Sequence, residues 1–137
     1  MHKALTMISF DYGTRRVGVA IGNSITHSGQ ALKTIAATSS DALFQEIESL
    51  LKEWQPDQLV VGRPVYPDGT PHELTVKAVR FGNQLHGRFH LPVAWVDERY
   101  TSAVLESDPK MHDNLDAHSA VLILEQYFAE QSVKSLN

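Results

Sequence analysis

MISFDYGTRRVGVAIGN, residues 7–23, runs apolar to Asp11, turns through Gly13, Arg15 and Arg16, and starts a second apolar run at Val17. ALTMISFD (4–11) and VGVAIG (17–22) read as strands, because short apolar runs rich in β-branched residues and bounded by a glycine turn suit a buried pleated surface. Gly13 permits the tight connection between them, so the stretch predicts an antiparallel hairpin with a carboxylate closing its first strand.

Outward from that hairpin, GQALKTIAAT (29–38) reads as a third extended stretch, ended by Ser39, Ser40 and Asp41, all good helix N-caps. Leu43, Phe44, Ile47, Leu50, Leu51 and Trp54 then repeat at helical spacing as far as Pro56, and DQLVVG (57–62) reads as a strand buried on both faces. RPVYPDGTPH (63–72), with three prolines and an Asp68-Gly69 turn, reads as a loop before a second helix from Glu73 that buries Leu74, Ala78, Phe81 and Leu85. Pro92 to Asp97 returns to strand. A last helix carries Ala117, Ala120, Val121, Leu124, Tyr127 and Phe128 on one side, and Thr101 and Ser102 are read as helix caps. Antiparallel strands followed by β/α alternation predict a single α/β domain across 1–137, a mixed sheet with helices on both faces.

A chain of 137 residues at 42% hydrophobic has one core and room for one site. No run approaches the roughly 20 apolar residues of a membrane span. MHKALTMISFDYG lacks the order of a signal peptide, which predicts a cytoplasmic chain with no membrane partner. The absence of cysteine removes disulfides, thiolate zinc sites and cysteine nucleophiles together. Histidines 2, 27, 72, 86, 90 and 112 show no metal-binding spacing, so a metal is expected on oxygen. A formal charge of −4 argues against indiscriminate polyanion binding, although an acidic total hides a local basic surface easily.

Four acids stand where such a site belongs. Asp11 ends the first strand, Asp97 and Glu98 end the last, and Asp116 opens the final helix. The carboxyl ends of strands are where ligands gather in sheets of this type. Clustered carboxylates repel one another and persist mainly around divalent cations, of which Mg²⁺ or Mn²⁺ suits carboxylate, water and phosphate oxygens. Two such ions about 3.5–4 Å apart activate water and stabilise a leaving 3′ oxygen, which is nuclease chemistry. Plainer readings stand beside this one: Asp before Gly forms turns, Asp116 suits an N-cap, and Asp97-Glu98-Arg99 makes a local ion-paired turn. Asp97 and Glu98 alternate across a strand, so one of them faces the metals unless the strand ends between them.

Around the acids, Gly13 offers a backbone amide to a phosphate, and Arg15, Arg16 and Arg99 are candidates for bidentate phosphate contacts. In LTVKAVRFGNQLHGR (74–88), Lys77, Arg80 and Arg88 follow one helical line and predict a basic ridge, the alternative being an ordinary solvated face.

DYGTRRVGVA (11–20) resembles the opening pattern Asp-x-Gly-x-Lys/Arg-Arg-Ile/Val-Gly-Val-Ala of the YqgF-like, or RuvX, branch of the ribonuclease-H-like superfamily, also named for Holliday junction resolution. VGRP (61–64) with DGT (68–70), DERYTS (97–102) and DAHSAVLILEQYF (116–128) are similar to its later blocks, in order and over nearly the whole chain. The resemblance implies a ribonuclease-H-like fold and a metal-dependent endonuclease, with Asp11, Asp97, Glu98 and Asp116 as the acids that bind Mg²⁺ or Mn²⁺. It implies a nucleic-acid partner, pre-16S rRNA or a pre-ribosomal particle in 5′-end maturation. The alternatives are branched DNA, or rRNA bound without cutting by an assembly factor. A nucleotide-binding ATPase shares the Asp-x-Gly-Thr turn but needs a second lobe, and no second phosphate loop is present. Monomer and homodimer both stay open, since a resolvase needs two sites related by symmetry. Three departures stand out. Arg63 replaces a leucine and becomes a phosphate candidate, His118 and Ser119 replace small or apolar residues, and SDPKMHDNL (107–115) is short and poor in lysine.

Overall fold

A computed structural model describes residues 4–99 and 116–135. The hairpin forms as its apolar runs require: β1 (Thr6–Tyr12) and β2 (Arg16–Asn23) pair antiparallel, with Asp11 opposite Gly18. β3 (Gly29–Ala36) adds antiparallel to β2. α1 (Ser40–Trp54) starts where Ser39 Oγ accepts the Ala42 N–H at 3.1 Å. β4 (Gln58–Val65) then returns parallel to β1, α2 (Glu73–Phe89) crosses over, and β5 (Val93–Arg99) lies parallel to β4. The sheet order is β3-β2-β1-β4-β5, and α3 (Asp116–Ser135) completes the described chain.

Alternation along each strand divides the core in two. Ile8, Phe10, Val17, Val19, Leu59 and Val61 face α1 and α2, against Phe44, Ile47, Phe81 and Leu85. Met7, Val60 and Val96 face α3, against Ile123, Leu124, Tyr127 and Phe128. The mixed sheet with helices on both faces is therefore as expected, and three details differ. β4 runs on through Arg63, Pro64 and Val65 in register with Asp97, Glu98 and Arg99, so the loop begins later than the prolines suggest. Proline is tolerated there because the ladder with β1 ends at Phe10–Val61, leaving that side of β4 without a partner strand. Trp54 ends α1 at 41% exposed rather than in the core. On α2 Thr75 is buried while Leu74 is half-buried, because the Thr75 hydroxyl donates to the Pro64 carbonyl and pins the helix start to β4.

Candidate active site

β1, β4 and β5 run the same way, so Asp11 and the Asp97-Glu98 pair finish at one edge of the sheet. Alternation assigns them to faces. Ser9 lies on the α3 side, its buried Oγ donating to the Ala120 carbonyl at 2.6 Å, and Asp11 two residues later shares that side. On β5, Val96 packs against α3 and Glu98 follows it, whereas Trp95 packs against the α1–α2 core and Asp97 follows that. Asp11 and Glu98 are therefore together on one face, and Asp97 is on the other.

Gly62 lies between them. It is one residue past Val61, the partner of Phe10, and directly opposite Val96. A Cβ at Gly62 would stand 2.7 Å from Glu98 Oε2 and 2.6 Å from Ile123 Cδ1. The missing side chain is the space into which the Glu98 carboxylate leans, over β4 and towards β1, with Oε2 buried.

α3, which opens on Asp116, packs across one face of the sheet. Gln58 Nε2, at the amino end of β4, donates to Tyr127 Oη at 3.2 Å, and Ser9 holds Ala120 farther along the sheet. Gln126 Nε2 donates to the Asp97 carbonyl at 3.1 Å, and the helix starts one turn before Ala120, at Asp116. His118 is exposed near that start.

The basic candidates separate. Gly13 makes the β1–β2 turn so tightly that a Cβ would lie 2.7 Å from the Arg16 carbonyl oxygen. Arg15 is exposed beside it, and half-buried Arg16, preceding Val17, shares the α3 side with Asp11. Arg63 is on the opposite side, its Nε 2.7 Å from Asp97 Oδ1. α2 lies wholly on that opposite side, and it carries the three residues of the expected ridge. Lys77 pairs with Glu73 at 3.8 Å, Arg80 is exposed, and the Arg88 guanidinium sits 4.2 Å from the Phe44 ring centroid. Arg88 is correspondingly near the amino edge of the sheet, where it lines a 550 Å³ groove with Glu48, Leu51, Lys52 and Phe89. Arg99 ends β5. Thr101, Ser102 and the 107–115 segment lie outside the described residues.

Among the described residues no group of three or more His, Cys, Asp or Glu gathers as a cation cage. Two carboxylates on one face, beside a helix that opens on Asp116, nonetheless give an all-oxygen set. That fits Mg²⁺ or Mn²⁺, which take one or two carboxylates and complete their shells with water and phosphate. Reasoning from the sequence alone overlooks Gly62, Ser9 and Trp95. A glycine at the end of a hydrophobic strand was the available signal for the first, since it marks close approach of another group.

A family model described as RuvX, Holliday junction resolvase, matches residues 5–130. A Polynucleobacter necessarius protein named "Putative pre-16S rRNA nuclease" is 75% identical over 126 residues, covering 92% of this chain and 86% of that protein. A Burkholderia vietnamiensis protein of the same name is 50% identical over 135 residues, covering 93% and 91%. Among solved structures, T. thermophilus RuvC in complex with Holliday junction substrate aligns with a TM-score of 0.59 at 11% identity, over 93% of this chain and 96% of that one. Archaeoglobus fulgidus Pelota aligns with a TM-score of 0.51 at 9% identity over 96% of this chain, which spans 35% of Pelota's length. At such identities these two likenesses show a shared fold, ribonuclease-H-like in the case of RuvC.

Proposed function

The chain belongs to the RuvX family of Holliday junction resolvases, and from that premise we propose that it is a pre-16S rRNA nuclease that hydrolyses phosphodiester bonds in 5′-end maturation. The observation that carries the reading is the placement of Asp11 and Glu98 on one face at the carboxyl edge, with Gly62 leaving the space between them. Asp11, Glu98 and Asp116 would hold Mg²⁺ or Mn²⁺. When bound, such ions supply a water of lowered pKa and offset charge on the leaving oxygen. The chain's own groups do the positioning. Asp11 is fixed by its place in the β1–β2 ladder, and Glu98 by its seat over Gly62. Gly13 lets the backbone approach the phosphate closely, and Arg15 and Arg16 donate N–H groups to its oxygens. Asp97 is left out of this set by its face. A cytoplasmic setting accords with the substrate. No helix among the described residues is long and apolar enough to cross a membrane.

The test is incubation of purified protein with a pre-16S 5′-end RNA fragment and with a four-way DNA junction, in Mg²⁺, Mn²⁺ or EDTA. We expect RNA cutting in either metal and none in EDTA, with Asp11→Asn and Glu98→Gln folded and inactive. Selective cutting of the junction would move the substrate to branched DNA and demand a homodimer. Binding of RNA without cutting in any metal would make the protein an assembly factor.

A further inference from the structure

Asp97 faces away from Asp11 and Glu98 and has different company. Arg63, its cross-strand partner on β4, sends Nε to Asp97 Oδ1 at 2.7 Å, and the Arg63 Cζ stands 5.7 Å from the Trp95 ring centroid. Trp95 is itself seated on α2, where a Cβ at Gly82 would come within 2.3 Å of Cη2. The guanidinium is thus supported by a ring fixed on a helix and gripped along its Nε edge by a carboxylate. Among the described residues no acceptor engages its two terminal nitrogens, and the Arg63 and Asp97 side chains are 38% and 47% exposed. An exposed ion pair contributes little to stability. What this one provides is a planar donor fork held ready for an oxyanion.

We propose that Arg63 is a phosphate clamp for the nucleic-acid strand, and that Asp97 is its positioning residue rather than an ion ligand. The proposal rests on the nuclease reading for its substrate. Arg63 directly follows Gly62 on β4, so the clamp and the acid pair stand on opposite sides of the sheet within one residue of each other. A strand laid over the carboxyl edge meets the acids with one phosphate and Arg63 with another, outside the bond that is cut.

The experiment measures anisotropy of a fluorescein-labelled pre-16S 5′-end RNA in EDTA across a salt series, beside cleavage in Mg²⁺. Arg63→Leu should weaken binding roughly tenfold, the worth of one charged contact, and lower the salt slope by about 0.7. Arg63→Lys should keep the slope while losing affinity. Asp97→Asn removes a negative charge, which by charge alone tightens binding to a polyanion. As a positioning residue it should weaken binding instead, and should have no such effect once Arg63 is leucine. Asp11→Asn and Glu98→Gln, which also remove a negative charge, should bind at least as tightly as the parent and fail to cut. The clamp is overturned if Asp97→Asn binds RNA as well as the parent or better, or if it loses Mn²⁺ binding in calorimetry. A parent that binds without cutting, but is weakened by Arg63→Leu and Asp97→Asn, sinks the nuclease reading and leaves the clamp standing. A parent that cuts while both variants bind normally sinks the clamp alone, and failure to bind either RNA or junction overturns both.

Discussion

Gly62 is the residue on which the seat of Glu98 depends, and its role is an absence. Any side chain there meets Glu98 Oε2 and Ile123 Cδ1 at under 3 Å, so Gly62→Ala must displace the carboxylate, the core residue or both. The expected outcome is a loss of about 1–3 kcal/mol, the usual cost of overpacking a filled site, with reduced cleavage and undiminished RNA binding. Thermal melts and paired binding and cleavage assays check it. Adding Ile123→Val to give the methyl somewhere to go separates the two effects: stability should recover and cleavage should not, because Glu98 stays displaced. A double variant that regains full cleavage would show that Glu98 was never moved. At this scale the sequence discloses residue types but not their company. Asp97 and Glu98 declare that they alternate; which of them joins Asp11 depends on the Arg63–Asp97 register between β4 and β5, which no local pattern encodes.

Elements were more legible, and the exceptions have causes. The hairpin, α1 and its Ser39 cap follow from apolar period and capping chemistry, because those signals are local. The last three residues of β4 read as loop because Pro64 is a strand breaker, which is tolerated there by the end of the β1 ladder. Helical spacing on α2 places Lys77, Arg80 and Arg88 along one line but cannot show that the Arg88 guanidinium stands over Phe44 of another helix. α3 supplies the prediction at this scale. Ser9 Oγ, buried, is the hydroxyl that ties β1 to the Ala120 carbonyl, one turn after the helix opens on Asp116. Ser9→Ala removes that hydrogen bond and should cost about 1 kcal/mol. The amides of the first turns of α3 should exchange hydrogen faster while those of β1, β2 and β4 do not. Cleavage should fall with them if the helix start serves the site. Uniform loss of protection across the sheet would mean that Ser9 supports the whole core rather than the seating of α3.

At the scale of the whole molecule, the described residues build one sheet with helices on both faces, and a chain with a net charge of −4 carries two of its acids on one face of the sheet edge, so its stability and its chemistry compete. Carboxylates brought together by folding repel in the folded state far more than in the unfolded chain. Neutralising one of them should therefore stabilise the fold when no divalent ion is present, as substitutions at functional sites often do. Asp11→Asn in EDTA is expected to melt above the parent. The order should reverse with Mg²⁺. An ion that binds only the folded state adds RT ln(1 + [Mg²⁺]/Kd), about 2.7 kcal/mol at a hundredfold excess over Kd, or several degrees for a domain of this size. The parent should gain that increment and Asp11→Asn should gain little of it. Asp97→Asn serves as the internal comparison: its carboxylate lies on the far face with Arg63, so its melting temperature should rise with Mg²⁺ as the parent's does. Melts across a Mg²⁺ series, with potassium matching the ionic strength, distinguish binding from general screening. Equal gains in the parent and Asp11→Asn would place the ion away from Asp11. A parent that cuts RNA yet melts independently of Mg²⁺ would mean that the ion enters with the substrate, whose phosphate oxygens then complete a site that two carboxylates only begin.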